Sequence, residues 1–290
     1  MKTKILIQLD TDPLPSLFDR IVAIDSGAEQ VFSYGAVAAG QVRDLVYGAI
    51  FTRGPADLPS TAIFIGGSDV AAGEALLDGA RKAFLGKLRV SLMLDSRGAN
   101  TTAAAAVISL ESRMDIQRRR VLVLGGTGPV GRRVARLLSR RGADVRVGSR
   151  DLRKAEDVAK TIAERVGSGG SKPIACATGS TGDLGRALEG VEAVVAAGGA
   201  GITLLPAASR KAARSLKVVI DLNAVPPAGI EGVGPMDQAA KLDGAEAFGA
   251  IAVGGLKMKI HKKSIARLFE ANDRVLDAEE ILEVGHTIGR

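Results

Sequence analysis

The chain has 290 residues, of which 46% are hydrophobic, so it is long enough and apolar enough for two domains of ordinary size. Aromatic residues make up only 3% and tryptophan is absent, which argues against carbohydrate sites and single-stranded nucleic-acid platforms that need stacking rings. The net charge is +7, and the basic residues are scattered or confined to Arg118–Arg120 and to predicted helix faces. A solvated surface explains it best, attraction of anionic small molecules comes second, and no nucleic-acid reading motif accompanies it.

Apolar runs alternate with helical patterns along the whole chain, which predicts parallel sheets covered by helices on both faces. The predicted strands are Ile5–Leu9, Ala62–Ile65, Val90–Leu94, Val121–Leu124, Val145–Val147, Ala193–Ala196 and Val218–Leu222. The predicted helices are Val70–Phe84, Thr101–Met114, Gly131–Arg140, Leu152–Val166, Pro206–Ser215 and Lys262–Leu268.

We expect two lobes with a cleft between them. Residues 1–105, joined by about 262–290, form an N-terminal α/β substrate lobe, and residues 106–261 form a second lobe. Asn100 and Thr101 are good N-cap residues for the helix that connects the lobes.

Targeting signals are missing from the sequence. Asp10 and Asp12 interrupt the apolar run that follows Lys4, and the uncharged stretch 193–208 is broken by glycines and is too short for a membrane helix. The single cysteine, Cys176, fits a reducing compartment. We therefore expect a cytoplasmic protein without a membrane partner.

The stretch "VLVLGGTGPVG" contains a glycine motif directly after a predicted strand and at the start of a helix. Gly126 permits a tight turn, Gly128 allows the backbone to approach a pyrophosphate, and Gly131 allows helix and strand to pack closely. The helix N-terminus then faces the phosphates. This context predicts a dinucleotide site in a Rossmann-type, doubly wound parallel sheet. The expected cofactor contacts in the turn are Gly126, Thr127, Gly128, Pro129, Val130 and Gly131.

The end of the next strand indicates which dinucleotide binds. An NAD site usually has a carboxylate there, whereas this strand ends in Gly148, Ser149 and Arg150, with Lys154 close behind. A hydroxyl and two cations suit a 2′-phosphate, so we predict NADP. The alternative is that Arg150 and Lys154 are ordinary surface charges.

No familiar acid–base set accompanies this cofactor motif. The chain has two histidines, His261 and His286, and its two tyrosines lie in the first lobe. We expect His261 to be structural, and we find no cluster that would bind a metal. Oxidation of an alcohol needs a general base, so the sequence favours a hydride transfer that is not coupled to loss of an O–H proton.

Seven stretches resemble the NAD(P)-dependent methylene-tetrahydromethanopterin dehydrogenases of one-carbon-oxidising bacteria, some of which also accept methylene-tetrahydrofolate. They span both lobes: "DTDPLPSLFD", "IFTRGP", "TAIFIGGSD", "DSRGANTTAAAA", "GGTGPVG", "DLNAVPPAGI" and "AFGAIAVGGLKMKIH". The basic residues that follow the second strand resemble the NADP-specific branch, although Ser149 stands where that branch has glycine.

The resemblance implies a reaction that needs no base. A carbon between two nitrogens releases hydride to nicotinamide and becomes a methenyl cation, so the protein must mainly align the two partners and exclude water. The resemblance also implies a homo-oligomer whose subunit number the sequence does not give.

The resemblance further assigns site residues. Lys257, Asp19 and Thr102 position the pterin as catalytic residues, and Asn223 shapes the nicotinamide end of the cofactor site. Gly198 follows another predicted strand, so we expect it at the carboxyl edge of the sheet, where cofactors bind in this fold. The remaining substrate contacts are Phe18, Asp95, Asn100 and Thr101. Five of these residues have a simpler interpretation. Lys257 is then a surface lysine, Asp19 is a turn or cap residue, and residues 100–102 cap the connecting helix.

Two other functions stay open at this stage. One is a different Rossmann dehydrogenase of the shikimate type, which needs a Lys/Asp pair in the first lobe that we do not find at a convincing spacing. The other is a non-catalytic NADP-binding regulator.

Overall fold

A computed structural model of the chain describes residues 2–288. Its strands are β1 Ile5–Asp10, β2 Gln30–Tyr34, β3 Thr61–Gly66, β4 Ser91–Leu94, β5 Arg120–Leu124, β6 Asp144–Ser149, β7 Ile174–Ala177, β8 Ala193–Ala196, β9 Val218–Asp221, β10 Gln238–Leu242, β11 Ala245–Phe248 and β12 Val275–Leu276. Its helices are α1 Leu17–Asp25, α2 Val42–Phe51, α3 Val70–Ala83, α4 Ala99–Glu111, α5 Pro129–Arg140, α6 Leu152–Val166, α7 Thr181–Leu188, α8 Ala207–Ala212, α9 Ala250–Leu268 and α10 Ala278–His286.

The chain divides into two compact units. The first contains the residues up to Thr101 and those from Met258 onward, and the second is Thr102–Lys257. Both passages between the units lie inside helices, α4 and α9.

The first unit is built on a parallel five-stranded sheet in the order β12-β4-β3-β1-β2. Its inner strands β3 and β4 are mostly apolar because they are covered, and every residue in them is buried. The strand order reverses between β1 and β3. In open α/β sheets, ligands bind beyond the carboxyl ends of the strands at such a reversal.

The second unit contains a seven-stranded sheet in the order β10-β11-β9-β8-β5-β6-β7, in which only β10 runs antiparallel to its neighbour. The strand order reverses between β5 and β8. This is the doubly wound arrangement, and it confirms the predicted fold class of two α/β units with a Rossmann-type sheet. Within residues 2–288, no helix has the length and apolar character that a membrane crossing requires.

The structure contains a strand at each of the seven predicted positions and adds elements that the pattern did not reveal. The helix predicted from Lys262 is wrong in extent, because α9 begins twelve residues earlier, at Ala250. Gly254 and Gly255 inside it weaken the helical signal, yet a Cβ atom at either position would meet nothing within 4 Å.

Candidate functional site

The glycine turn lies at the point where the order of the large sheet reverses. Strand β5 ends at Leu124 and α5 begins at Pro129, with Gly128 as its N-cap residue. The tight turn is made by Gly125, whose φ is +67°, and not by Gly126 as we expected. The amide of Gly128 donates to the carbonyl of Gly125 at 3.0 Å, which closes the turn.

Packing explains three glycines of this turn. A Cβ atom on Gly125 would lie 2.6 Å from Cα of Gly198, which follows β8, so the two backbones touch across the reversal. A Cβ on Gly126 would lie 2.8 Å from Val147, and one on Gly131 would lie 2.5 Å from the carbonyl oxygen of Gly125. These positions exclude any side chain for reasons internal to the fold.

Gly128 is different. A Cβ atom there would come no closer than 3.4 Å to the chain, an ordinary contact, and its φ of −77° suits any residue. The chain itself therefore does not require glycine at the N-terminus of α5. The first amide groups of a helix point outward without intrahelical partners, and with Gly128 they can be reached by a bulky anion. Thr127 precedes Gly128 in the turn, and Pro129 and Val130 are the first two residues of α5.

The residues that we expect to bind a 2′-phosphate lie at the end of β6 and directly after it. Ser149 is buried, and its hydroxyl oxygen accepts a hydrogen bond from the amide of Asp151 at 3.2 Å. The carboxylate of Asp151 caps α6 by accepting the amide of Lys154, and it also lies 3.7 Å from the Lys154 ammonium. Arg150 is exposed and forms no ion pair with any residue in the range 2–288. The nearest carboxylate is thus engaged as a helix cap, and the guanidinium is available.

A loop after β9 is closed by a buried carboxylate. Asp221 accepts the amides of Asn223 and Ile230, both at 3.0 Å. Burial raises the pKa of Asp221, and these backbone donors oppose the rise. The side chain of Asn223 is used within the same loop, since it donates to Pro227 and accepts from Val225. A small cavity of about 60 Å³ adjoins the loop.

In the first unit, carboxylates gather where β1 and β3 end, at the order reversal. A Cβ atom on Gly66 would lie 3.2 Å from Asp10 and 3.7 Å from Asp19, so both carboxylates flank this glycine. Asp10 is buried and accepts the amides of Asp12 and Ser16, which shapes the loop that leads into α1. Asp19 follows on the first turn of that helix.

His261 on α9 lies among these groups. Its ring is fully buried, with Nε2 3.9 Å from a carboxylate oxygen of Asp19 and Nδ1 3.7 Å from one of Asp95. The ring stacks on Phe64 at 5.7 Å between centroids and contacts Phe18 at 6.1 Å. We expected a structural histidine, and the structure instead brings it to the predicted substrate residues. The sequence signal was its place in the stretch shared with the family, beside Lys257.

Asp95 anchors the start of α4. Its buried carboxylate accepts the amides of Asn100 and Thr101 at 2.9 and 3.0 Å and the Thr101 hydroxyl at 2.6 Å. The Asn100 side chain donates to Leu94 and to Asp277. The prediction that Asn100 and Thr101 are N-cap residues is therefore wrong: both lie inside the helix, and Asp95 caps it.

The remaining predicted substrate residues differ in their placement. Phe18 is 46% exposed and Asp19 17%, so both reach the surface of the first unit. Thr102 and Lys257 are the first and last residues of the second unit, and each is carried by a helix that continues into the first.

Comparisons with known proteins show which family the chain resembles. Residues 17–97 match the family model described as methylene-tetrahydromethanopterin dehydrogenase, N-terminal. A Methylorubrum extorquens protein named "Bifunctional protein MdtA" is 42% identical over 286 residues, with 98% of each chain covered. The NAD(P)-dependent methylenetetrahydromethanopterin dehydrogenase of the same organism is 32% identical, with 89% of each chain covered.

Among solved structures, shikimate 5-dehydrogenase of Listeria monocytogenes in complex with shikimate and NAD superposes with a TM-score of 0.55. It covers 97% of this chain and 96% of its own, at 14% identity. At that identity the likeness concerns the fold alone.

Proposed function

The chain belongs to the methylene-tetrahydromethanopterin dehydrogenase family and is an enzyme of that type, and from this membership we propose its substrates and cofactor. It transfers a hydride reversibly between the methylene bridge of a reduced pterin and NADP, giving the methenyl-pterin. One geometric observation carries the proposal: the turn at the order reversal of the large sheet leaves the Gly128 position open, while packing fills the other three glycine positions. Assembly into homo-oligomers and a cytoplasmic location belong to the same proposal.

The residues of the second unit fit a dinucleotide. Gly128 and the first turn of α5 would hold the pyrophosphate, and Gly198 would border it across the reversal. Asn223 would act at the nicotinamide end, and its side chain is held by hydrogen bonds within the loop after β9. When bound, NADP supplies a carbon that accepts a hydride together with its electron pair.

NADP is favoured over NAD by the end of β6. A ribose hydroxyl needs a carboxylate acceptor, and Asp151 already caps α6. Ser149 can donate its hydroxyl proton, and Arg150 and Lys154 bring positive charge. Hydrogen bonds to charged groups contribute roughly 1.5–3 kcal/mol each, so one such contact to a 2′-phosphate would favour NADP by about tenfold or more.

The first unit supplies the pterin site. Phe18 would pack against the ring system and Asp19 would meet its polar edge, because these two side chains reach the surface. The His261 ring lies 3.9 Å from a carboxylate oxygen of Asp19 and 3.7 Å from one of Asp95, so it would contact the carboxylate that meets the pterin. Asp95, Asn100 and Thr101 satisfy one another, and we assign them to holding this arrangement.

Lys257 on α9 and Thr102 on α4 would orient the substrate. A general base is not needed, because the flanking nitrogens of the pterin stabilise the cation that forms as the C–H bond breaks. The chain's task is then placement, which can supply a large part of the rate enhancement. The shikimate-type alternative rests on fold likeness alone and is not favoured.

Initial rates with purified protein test the proposal. Reduced dinucleotide is followed by its absorbance with methylene-tetrahydromethanopterin or methylene-tetrahydrofolate, each paired with NADP and with NAD. We expect turnover with the methanopterin substrate and NADP, with the tetrahydrofolate arm deciding whether both pterins serve. Tight NADPH binding without turnover in any arm would identify a binding regulator and reject the enzyme.

A further inference from the structure

The second unit has a cavity at the edge of its sheet opposite to the glycine turn. Strands β5, β6 and β7 begin at this edge and run parallel, so the glycine turn and Arg150 follow the far ends of the same strands. The volume of the cavity is about 470 Å³, within the range of about 300–1,000 Å³ that small-molecule sites have. None of the residues that line it belongs to the candidate site for dinucleotide and pterin. The proposed reaction therefore leaves this cavity unexplained.

The cavity forms because helix α7 covers only part of the sheet face in front of it. Leu188, the last residue of α7, belongs to the same buried apolar cluster as Leu122 in the middle of β5. Alternate residues of a strand share a face, so Arg120 lies on the same face as Leu122, two residues nearer the start of the strand. Parallel pairing places Arg146 beside Leu122 and Ile174 beside Arg146 on that face. The open amino ends of three strands thus form the floor of the cavity.

Three cations line the cavity: Arg120, Arg146 and Lys172. None of them forms an ion pair with another residue in the range 2–288. Arg146 is held in place by the end of α7, because one of its guanidinium nitrogens donates to the carbonyl oxygens of Ala187 at 2.7 Å and Arg186 at 3.3 Å. A guanidinium carries five N–H groups, so Arg146 keeps donors for a ligand.

Arg120 is positioned by a glycine. It is the last residue of the basic run Arg118–Arg120, in which Arg119 pairs with Glu192 at 3.2 Å. Arg120 instead reaches Gly190, two residues after α7, where a Cβ atom would overlap its guanidinium. The φ of Gly190, +66°, is also one that other residues rarely adopt. Two guanidinium groups from neighbouring strands therefore converge near the end of α7.

Two carboxylates, Asp144 and Glu189, complete the polar lining. Both are exposed, and neither forms an ion pair within the described residues 2–288. They would repel a bare phosphate or sulfate ion, so the lining does not suit a simple anion. It suits a molecule that carries two kinds of group, because guanidinium and ammonium groups bind phosphate and carboxylates accept hydrogen bonds from hydroxyl groups.

We propose that this cavity binds a small phosphorylated sugar. The three cations hold its phosphate group, and the two carboxylates accept hydrogen bonds from its hydroxyl groups. Ile174, which is 55% exposed on the floor, offers an apolar surface to the carbon atoms of the sugar. Arg146 and Ser149 are three residues apart on β6, about 10 Å along the strand. The site is therefore distinct from the proposed 2′-phosphate pocket.

Calorimetric titration tests the proposal with ribose 5-phosphate, ribose and inorganic phosphate as probes at one ionic strength. We expect ribose 5-phosphate to bind at least about tenfold more tightly than either fragment, since its phosphate and its hydroxyl groups both contribute contacts. Lys172→Gln and Arg146→Gln should each weaken this binding about tenfold or more. Lys160→Gln, which removes an exposed lysine from α6, is the matched control and should bind as the wild type does.

Three outcomes would overturn the proposal. One is the absence of binding at about 10 mM ribose 5-phosphate, and another is binding that survives both test substitutions. The third is loss of binding in Arg150→Gln, which would place the sugar phosphate in the dinucleotide pocket. Neither pterin nor NADP is needed, so the result is separate from that of the proposed enzyme activity.

An Asp144→Ala variant tests the recognition of hydroxyl groups. It removes a negative charge near the phosphate and an acceptor for a hydroxyl group, so inorganic phosphate should bind more tightly than it does to the wild type. The preference for ribose 5-phosphate over inorganic phosphate should become smaller, and an unchanged preference would refute this part of the proposal. Asp144 and Lys172 are exposed, so their variants remain informative if Arg146→Gln weakens the end of α7.

Discussion

Replacing Gly128 with alanine separates what the glycine turn does for the fold from what it does for a ligand. In the folded chain, the new Cβ would lie 3.4 Å from the Gly125 carbonyl oxygen, and the backbone φ of −77° accommodates alanine. Such a substitution leaves stability unchanged or raises it by about 0.4–1 kcal/mol through the unfolded state. The same methyl group would occupy the place where the backbone approaches the pyrophosphate. Loss of one charge-assisted hydrogen bond, roughly 1.5–3 kcal/mol, would weaken NADP binding about 10- to 150-fold.

Gly131→Ala should behave in the opposite way. Its Cβ would lie 2.5 Å from the carbonyl oxygen of Gly125, and overpacking of this kind costs about 1–3 kcal/mol. Gly185→Ala is the matched control, because a Cβ there meets nothing within 4 Å. Thermal unfolding and calorimetric titration with NADP measure the two effects. The proposed pyrophosphate site at Gly128 is wrong if Gly128→Ala binds NADP as tightly as the wild type does. The packing argument is wrong if Gly131→Ala is as stable as the wild type.

Three further substitutions test individual groups. Arg150→Ala should weaken NADP binding at least about tenfold and leave NAD binding unchanged. The control is Arg153→Ala, which removes another exposed arginine, on the neighbouring helix, and should alter the binding of neither dinucleotide. Equal losses of NADP and NAD binding in Arg150→Ala would contradict a phosphate pocket. Lys257→Ala should raise the KM for the pterin or lower kcat without changing the Kd for NADP, and the exposed Lys259→Ala serves as its control; unchanged pterin kinetics would remove Lys257 from the site. Burial raises the pKa of Asp221 in the folded chain above its unfolded value, so the folded state binds the carboxyl proton more tightly than the unfolded state does. The free energy of unfolding therefore falls as pH rises from the unfolded pKa through the folded pKa. Urea unfolding across pH 4–8 should therefore show the wild type losing stability relative to Asp221→Asn as pH increases, and a difference that does not vary with pH would argue against the buried carboxylate.

The sheets were predictable where their strands are covered on both faces. Strands β3, β4, β8 and β9 are apolar runs because every residue in them is buried. The edge strand β2 alternates between exposed and partly buried residues and contains polar ones, so it gives no such run. Hydrophobicity thus reveals the middle of a parallel sheet better than its margins.

Residues of the candidate site could be predicted from the sequence where they form a local motif. Their arrangement could not be predicted where it depends on tertiary folding. The glycine turn is contiguous in sequence, although the positive φ at Gly125 and the approach of Gly198 depend on β8 lying beside β5. Asp19, Asp95 and His261 come from three distant segments that converge at the ends of parallel strands. Their convergence follows from the strand order, which periodicity does not determine.

The chain leaves one compact unit at Thr101 and returns to it at Met258, which has a consequence for biosynthesis. During translation the dinucleotide unit is complete as soon as residue 257 emerges, and domains generally fold as they emerge. The earlier-made unit must wait for β12 to pair with β4 and for Asp277 to receive the Asn100 amide. Synthesis that stops between residues 257 and 275 therefore leaves a chain whose dinucleotide unit is complete and whose first unit still lacks its last strand.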